Sequence, residues 1–234
     1  ETILDIANGV EQPCWFSGAE MNIIDSCFTA AADKPAIISR SEDNEILSVI
    51  TYGELERLVN RIANGIRNLG IEPETPIALY MPMTVECVAA YLGIIRARCV
   101  AVSIADSFSA IEVNTRMRIA GARHIITVDH YIRAGKTMTM YDKVLEADVP
   151  VAIVIPSKDS TVSLRNDDLS WDDLLSSEVS SPSVAGDPYC PINILFSSGT
   201  TGEPKAIPWT HLTPLKSAMD GYYHHDIHTD DVVV

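Results

Sequence analysis

The densest run of chemistry-bearing residues is Ser197-Ser198-Gly199-Thr200-Thr201-Gly202-Glu203-Pro204-Lys205, set between two apolar stretches that read as strands, one over 190–196 and one after Lys205. Glycines let backbone amides approach an anion closely, and successive free amides form a concave donor surface for phosphate oxygens. Serine and threonine hydroxyls add donors that rotate to suit a ligand, and a lysine adds a point charge. The plain structural alternative is a polar hairpin turn, which needs one or two such residues, not six in a row followed by Glu-Pro-Lys. The segment therefore reads as a phosphate-binding loop over 197–205. It is not a Walker A loop, because Pro204 stands five residues after Gly199, where that motif has its second glycine. A nearer match, His130-Tyr131-Ile132-Arg133-Ala134-Gly135-Lys136-Thr137, has His130 in place of the first glycine. His224, His225 and His228 have no Glu in an H-E-x-x-H pattern and read as an exposed helix end. The aspartates of 167–173 lack the glycine and closing glutamate of an EF-hand.

The elements that must position this loop alternate between strands and helices. Thr51-Tyr52-Gly53-Glu54 is a capping box, apolar residues follow at helical spacing, and Gly70 reads as a left-handed cap. Residues 76–82 read as a short strand, 84–97 as a buried helix and 99–104 as a strand. Ser109-Ala110-Ile111-Glu112 is a second capping box whose helix ends at Gly121. Residues 124–128 and 151–155 read as further strands. Apolar strands separated by helices predict an α/β fold with a mostly parallel sheet covered on both faces. The stretch 157–188 is rich in Ser, Asp and Pro and reads as a solvated polar connection with one short helix capped by Ser170. Residues 231–234 look like the start of a strand.

Composition limits the function classes. With 17 basic and 32 acidic residues the net charge is −15, which repels nucleic-acid phosphate, so a nucleic-acid partner is not expected. Any anionic ligand must be held by local donors against that field. No apolar run reaches the roughly 18 residues that cross a bilayer. The five cysteines are scattered, form no C-x-x-C pair and read as buried thiols of a soluble intracellular protein. The absence of G-x-G-x-x-G after a strand argues against a dinucleotide-dependent oxidoreductase.

Ser198-Gly199-Thr200-Thr201-Gly202-Glu203-Pro204-Lys205, with Thr210-His211 behind it, resembles the phosphate-loop signature of the AMP-forming adenylating enzymes. Trp15-Phe16-Ser17-Gly18 with Asn22-Ile23 resembles the entry segment of the acetyl-coenzyme A synthetase branch, and Thr51-Tyr52-Gly53-Glu54-Leu55 the family's first helix start. The run 205–211 is similar to a plant acyl-activating subgroup. The resemblance implies that the chain is an incomplete N-terminal AMP-dependent synthetase/ligase domain over 1–234, lacking the small C-terminal domain and inactive alone. It implies ATP-dependent activation of a carboxylic acid to an acyl-adenylate, with Mg2+, and thioester formation with coenzyme A. A non-catalytic nucleotide-binding fragment is the alternative. Residues 197–205 would grip the ATP phosphates. Arg133 and Lys136 are similar to a basic segment near the coenzyme A nucleotide. The catalytic, adenine and magnesium groups would lie beyond residue 234. Acyl substrate, oligomeric state and the choice between peroxisome and cytoplasm stay open. Three positions depart from the family pattern: Ala206 and Arg98 stand where glycine is common, and Ala105-Asp106-Ser107 replaces an aromatic-Gly-Gly segment.

Overall fold

A computed structural model describes residues 2–40, 42, 46–157, 160–198 and 202–233. Two hairpins open the chain, β1 (Thr2–Asp5) with β2 (Cys14–Ser17) and, after a 3-10 helix over Ile23–Phe28, β3 (Pro35–Ser39) with β4 (Ser48–Thr51). Helix α1 (Tyr52–Asn68) starts at the expected box: Thr51 Oγ1 accepts from the Glu54 N–H and Glu54 Oε2 accepts from the Thr51 N–H. It stops at Gly70, whose φ of 71° is left-handed. Strand β5 (Pro76–Tyr80) follows, then α2 (Val85–Arg96), none of whose residues is exposed. Next come β6 (Val100–Ser103), α3 (Ala110–Ala120) and β7 (His124–Val128). The Ser109/Glu112 box opens α3, and Gly121 at φ 67° closes it.

Beyond β7, a hairpin of β8 (His130–Arg133) and β9 (Lys136–Thr139) precedes α4 (Met140–Glu146), β10 (Val151–Ile155), the two-residue β11 (Leu169–Ser170) and α5 (Trp171–Leu174). Strands β12 (Pro191–Ser197) and β13 (Lys205–Thr210) lead into α6 (Leu212–His225). Seven strands form one sheet in the order β11-β10-β7-β5-β6-β12-β13, all neighbours parallel except the antiparallel β12–β13 edge. The crossover from β5 to β6 through α2 and the crossover from β6 back past β5 to β7 through α3 run in opposite directions, which puts the two helices on opposite faces. The central strands are accordingly apolar on both sides, with Ile77, Ala78, Ala101, Val102, Ile125 and Ile126 fully buried.

Three expectations are corrected. The polar stretch 157–188 is not simply solvated. Asn60, Arg61 and Asn64 on α1 donate to the carbonyls of Val179, Ser176 and both Glu178 and Ser180, and Arg96 donates to that of Ser181. Side chains thus satisfy the carbonyls of 176–181, the part of this strap that pairs with no strand. Trp171 and Leu174 within it are core residues, and the buried Asp168 carboxylate is gripped by Arg165, Tyr141 and the Ala152 N–H. Of the five thiols, all free, Cys99 alone is fully buried and Cys27 is exposed. Residues 231–233 form no strand: Asp231 closes a turn with His228, accepting from its N–H and donating to its carbonyl, and Val232 and Val233 are exposed.

Candidate functional site

Because β6 and β12 are parallel neighbours, the segments leaving their carboxyl ends emerge side by side. Open α/β sheets bind ligands outside those ends. A cleft of about 650 Å³ opens there, lined from the β6 side by Phe108, Glu112, Thr115 and Arg116 and from the β12 side by Phe196, Ser198, Gly202, Glu203 and Pro204.

The Ser- and Gly-rich loop joins β12 to the antiparallel β13, with Ser197 opposite Lys205 at the last rung. Ser197 and Pro204 are half-buried, whereas Ser198, Gly202, Glu203 and Lys205 are exposed. Gly199, Thr200 and Thr201 lie outside the described residues. Gly202 sits at φ 95°, a conformation that side chains with a Cβ rarely adopt, and no described atom lies within 4 Å of where a Cβ would stand. Glu203 is paired with Arg118 at 3.0 Å. Lys205 makes no ion pair among the described residues, so its charge is uncommitted.

Arg133 and Lys136 flank the turn of the β8–β9 hairpin, where Ala134 at φ 51° and Gly135 at φ 72° form the tight turn that suits a right-twisted hairpin. The segment 130–137 is therefore strand-turn-strand and leads into no phosphate-binding helix. Asp106 accepts from the Tyr131 hydroxyl at 2.6 Å and lies 3.4 Å from Arg133 Nη1. Burial and this carboxylate push the Tyr131 phenol up. Asp106 thus neutralises the cation expected to meet coenzyme A, and it links the hairpin tip to the same β6–α3 segment that supplies Phe108 to the cleft. Lys136 remains exposed and unpaired among the described residues.

His211, at the far end of β13, is buried and accepts the Ile23 N–H on Nδ1 at 3.1 Å. That bond assigns the proton to Nε2, so Arg98 Nη1, 3.3 Å from Nε2, is in contact without a hydrogen bond. Burial and the neighbouring guanidinium push the imidazole down to about 4. His224 and His225 end α6 in solvent, and no three metal-binding side chains come together among the described residues.

Sequence reasoning did not find Phe108, Thr115 or Arg116. Arg116 carried a usable signal: it lies among Ala110, Val113 and Met117 on the face of α3 that helical spacing turns inward, an odd place for a charge.

The sequence profile described as AMP-binding enzyme matches residues 26–234. The chain belongs to the AMP-binding enzyme family. The match takes in the whole seven-stranded sheet and the phosphate-loop candidate. It is 43% identical over 235 residues to hexanoyl-CoA synthase of Cannabis sativa, covering 94% of this chain and 32% of that protein. It is likewise 43% identical to probable acyl-activating enzyme 17, peroxisomal, of Arabidopsis thaliana, with the same coverage. The acetoacetyl-CoA synthetase from Streptomyces lividans superposes with a TM-score of 0.85 at 28% identity, over 94% of this chain and 35% of that one. The chain spans about a third of the length of the curated relatives it matches.

Proposed function

We propose that this chain forms the phosphate-gripping wall of an enzyme that activates a carboxylic acid with ATP and passes the acyl group to coenzyme A. In the first half, the carboxylate oxygen bonds to the α-phosphorus and pyrophosphate leaves, giving an acyl-adenylate. In the second, the thiolate bonds to the acyl carbon and AMP leaves. The observation that supports this most is the position of the Ser- and Gly-rich loop, with its uncommitted Lys205, at the carboxyl ends of two parallel strands in a chain of the AMP-binding family. The relatives named for hexanoyl-CoA and acetoacetyl-CoA chemistry support the reaction class.

The donor set suits a polyphosphate. Ser198 offers an exposed hydroxyl, Gly202 a backbone free to approach, and Lys205 a charge for the departing pyrophosphate. Gly199, Thr200 and Thr201 would complete it. Fixed donors aimed at developing charge lower the barrier without reorganising during the reaction. For coenzyme A the set is thinner, since Arg133 is shared with Asp106 and Lys136 is the remaining cation. No three metal-binding side chains come together among the described residues, and a magnesium ion would be held largely by phosphate oxygens and water.

The test is ATP–pyrophosphate exchange in the natural full-length protein with a panel of carboxylic acids. Lys205→Ala is expected to slow exchange roughly a hundredfold, the scale of one lost transition-state donor, and Lys136→Ala by less than about threefold. The reverse order would overturn the loop assignment.

A further inference from the structure

Arg116 is an isolated cation in a chain crowded with carboxylates. Its side chain is more than nine-tenths buried, yet it makes no ion pair among the described residues. The guanidinium lies over the Phe108 ring at 3.7 Å from the centroid and beside the Phe196 ring at 5.5 Å. Stacking on ring faces leaves the donor edges of the plane uncovered. One of them, Nη1, donates to the Glu112 carbonyl at 3.0 Å. Nε has no partner among the described residues but is shut off from solvent, so the donor left open to the cleft is Nη2, which makes no hydrogen bond among the described residues. Buried charges are almost always paired, so the open Nη2 of this one suits an acceptor that enters through the cleft.

The surroundings say what kind of acceptor. Arg116 lines the cleft whose opposite wall is Ser198, Gly202 and Pro204. The two carboxylates that share the cleft are already engaged, Glu112 with the Ser109 N–H and hydroxyl at 3.0 and 2.9 Å and Glu203 with Arg118. Neither forms an ion pair with the guanidinium, although the Arg116 charge helps hold the Glu112 carboxyl low after its bonds to Ser109. The rings fix its plane, as planar, bidentate recognition of an oxyanion requires.

We propose that Arg116 is a second polyphosphate-binding cation, facing the Ser- and Gly-rich loop across the cleft and taking oxygens of pyrophosphate or of the ATP triphosphate. This rests on the function proposed above and adds a binding residue from α3, outside the loop. A cation there would hold the pyrophosphate from the side opposite the loop, so the leaving group is clamped between two walls.

The experiment compares Arg116→Lys and Arg116→Met in the natural full-length protein by titration calorimetry with inorganic pyrophosphate, ATP and coenzyme A, beside wild type and Lys205→Ala. Thermal melts check folding. Methionine keeps an unbranched apolar stem between the rings and loses the charge, whereas lysine keeps the charge and loses the fork. Arg116→Met is expected to weaken pyrophosphate and ATP roughly tenfold or more, and Arg116→Lys to recover part of that loss, with coenzyme A little changed. Equal losses for both variants would mean that the rings, not an anion, define the role, and would overturn the proposal. Unchanged pyrophosphate affinity, or a loss confined to coenzyme A, would overturn it too. These outcomes leave the loop assignment standing if Lys205→Ala still weakens ATP. A wild type that binds neither ATP nor pyrophosphate removes both readings.

Discussion

His211 and Arg98 illustrate how single residues here are set by their neighbours. Arg98 takes a left-handed φ of 65° where the family pattern favours glycine, a conformation that costs a side-chain-bearing residue about 1–2 kcal/mol. Its guanidinium offsets part of that by donating to the Met21 carbonyl at 3.2 Å and by filling the space over Gly186, where an added Cβ would stand 2.4 Å from Nη2. The same guanidinium disfavours a proton on His211. With the imidazole near 4 in the folded chain and about 6.5 unfolded, the unfolded state binds more protons between those values. Stability therefore rises with pH across that window and is lost as pH falls from about 6.5 towards 4, by about 1 kcal/mol per unit. Above 6.5 the histidine adds no slope. His211→Asn, which keeps an acceptor for Ile23, should flatten acid unfolding over this range in denaturant titrations. Identical pH slopes for variant and wild type would show that His211 is not the group responsible.

Helix α1 and the strap laid across it show the same logic for elements. A glycine inside a helix is normally worse than alanine by about 1 kcal/mol, so Gly65→Ala should stabilise α1 on propensity alone. Here a Cβ would come 1.8 Å from the Leu174 carbonyl oxygen and 2.9 Å from its carbon, both backbone atoms that cannot swing away. Separating α1 from α5 costs more than the propensity gain, since overpacking costs about 1–3 kcal/mol and the buried Leu174 would be pulled from the core. Gly65→Ala should thus lower the melting temperature by several degrees. A rise would mean that α5 docks less tightly than described. The long elements were legible from the sequence because their signals are local: Thr51/Glu54 and Ser109/Glu112 start helices, and Gly70 and Gly121 end them. The strap was not, because Asn60, Arg61 and Asn64 look like an ordinary solvated helix face until the carbonyls they hold are known. The hairpins β1–β2, β3–β4 and β8–β9 and the two-residue β11 are short and owe their order to partners, which periodicity does not report. In the cleft, the loop was legible by composition, whereas Arg116 took its meaning from two rings about 8 residues before and 80 residues after it in the chain.

At the scale of the molecule, the charge of −15 and the proposed polyphosphate site pull in opposite directions. An approaching ATP is repelled by the whole chain at long range and attracted by Lys205, and in our proposal Arg116, at contact. The two ranges respond differently to salt. The screening length falls from about 30 Å at 0.01 M to about 8 Å at 0.15 M, so added salt removes the distant repulsion first and weakens partly buried contacts much less. Oppositely charged partners associate more slowly as salt is added, because steering is lost. For this protein the sign should invert: the association rate of ATP should rise between about 0.01 and 0.15 M monovalent salt, while the dissociation rate rises only modestly. Stopped-flow measurements on residues 1–234, to which the charge of −15 belongs, at a series of sodium chloride concentrations read both rates. An association rate that falls steadily over that range would mean that the cleft's local field reaches far enough to outweigh the acidic surface, and that the cations lining it act at long range.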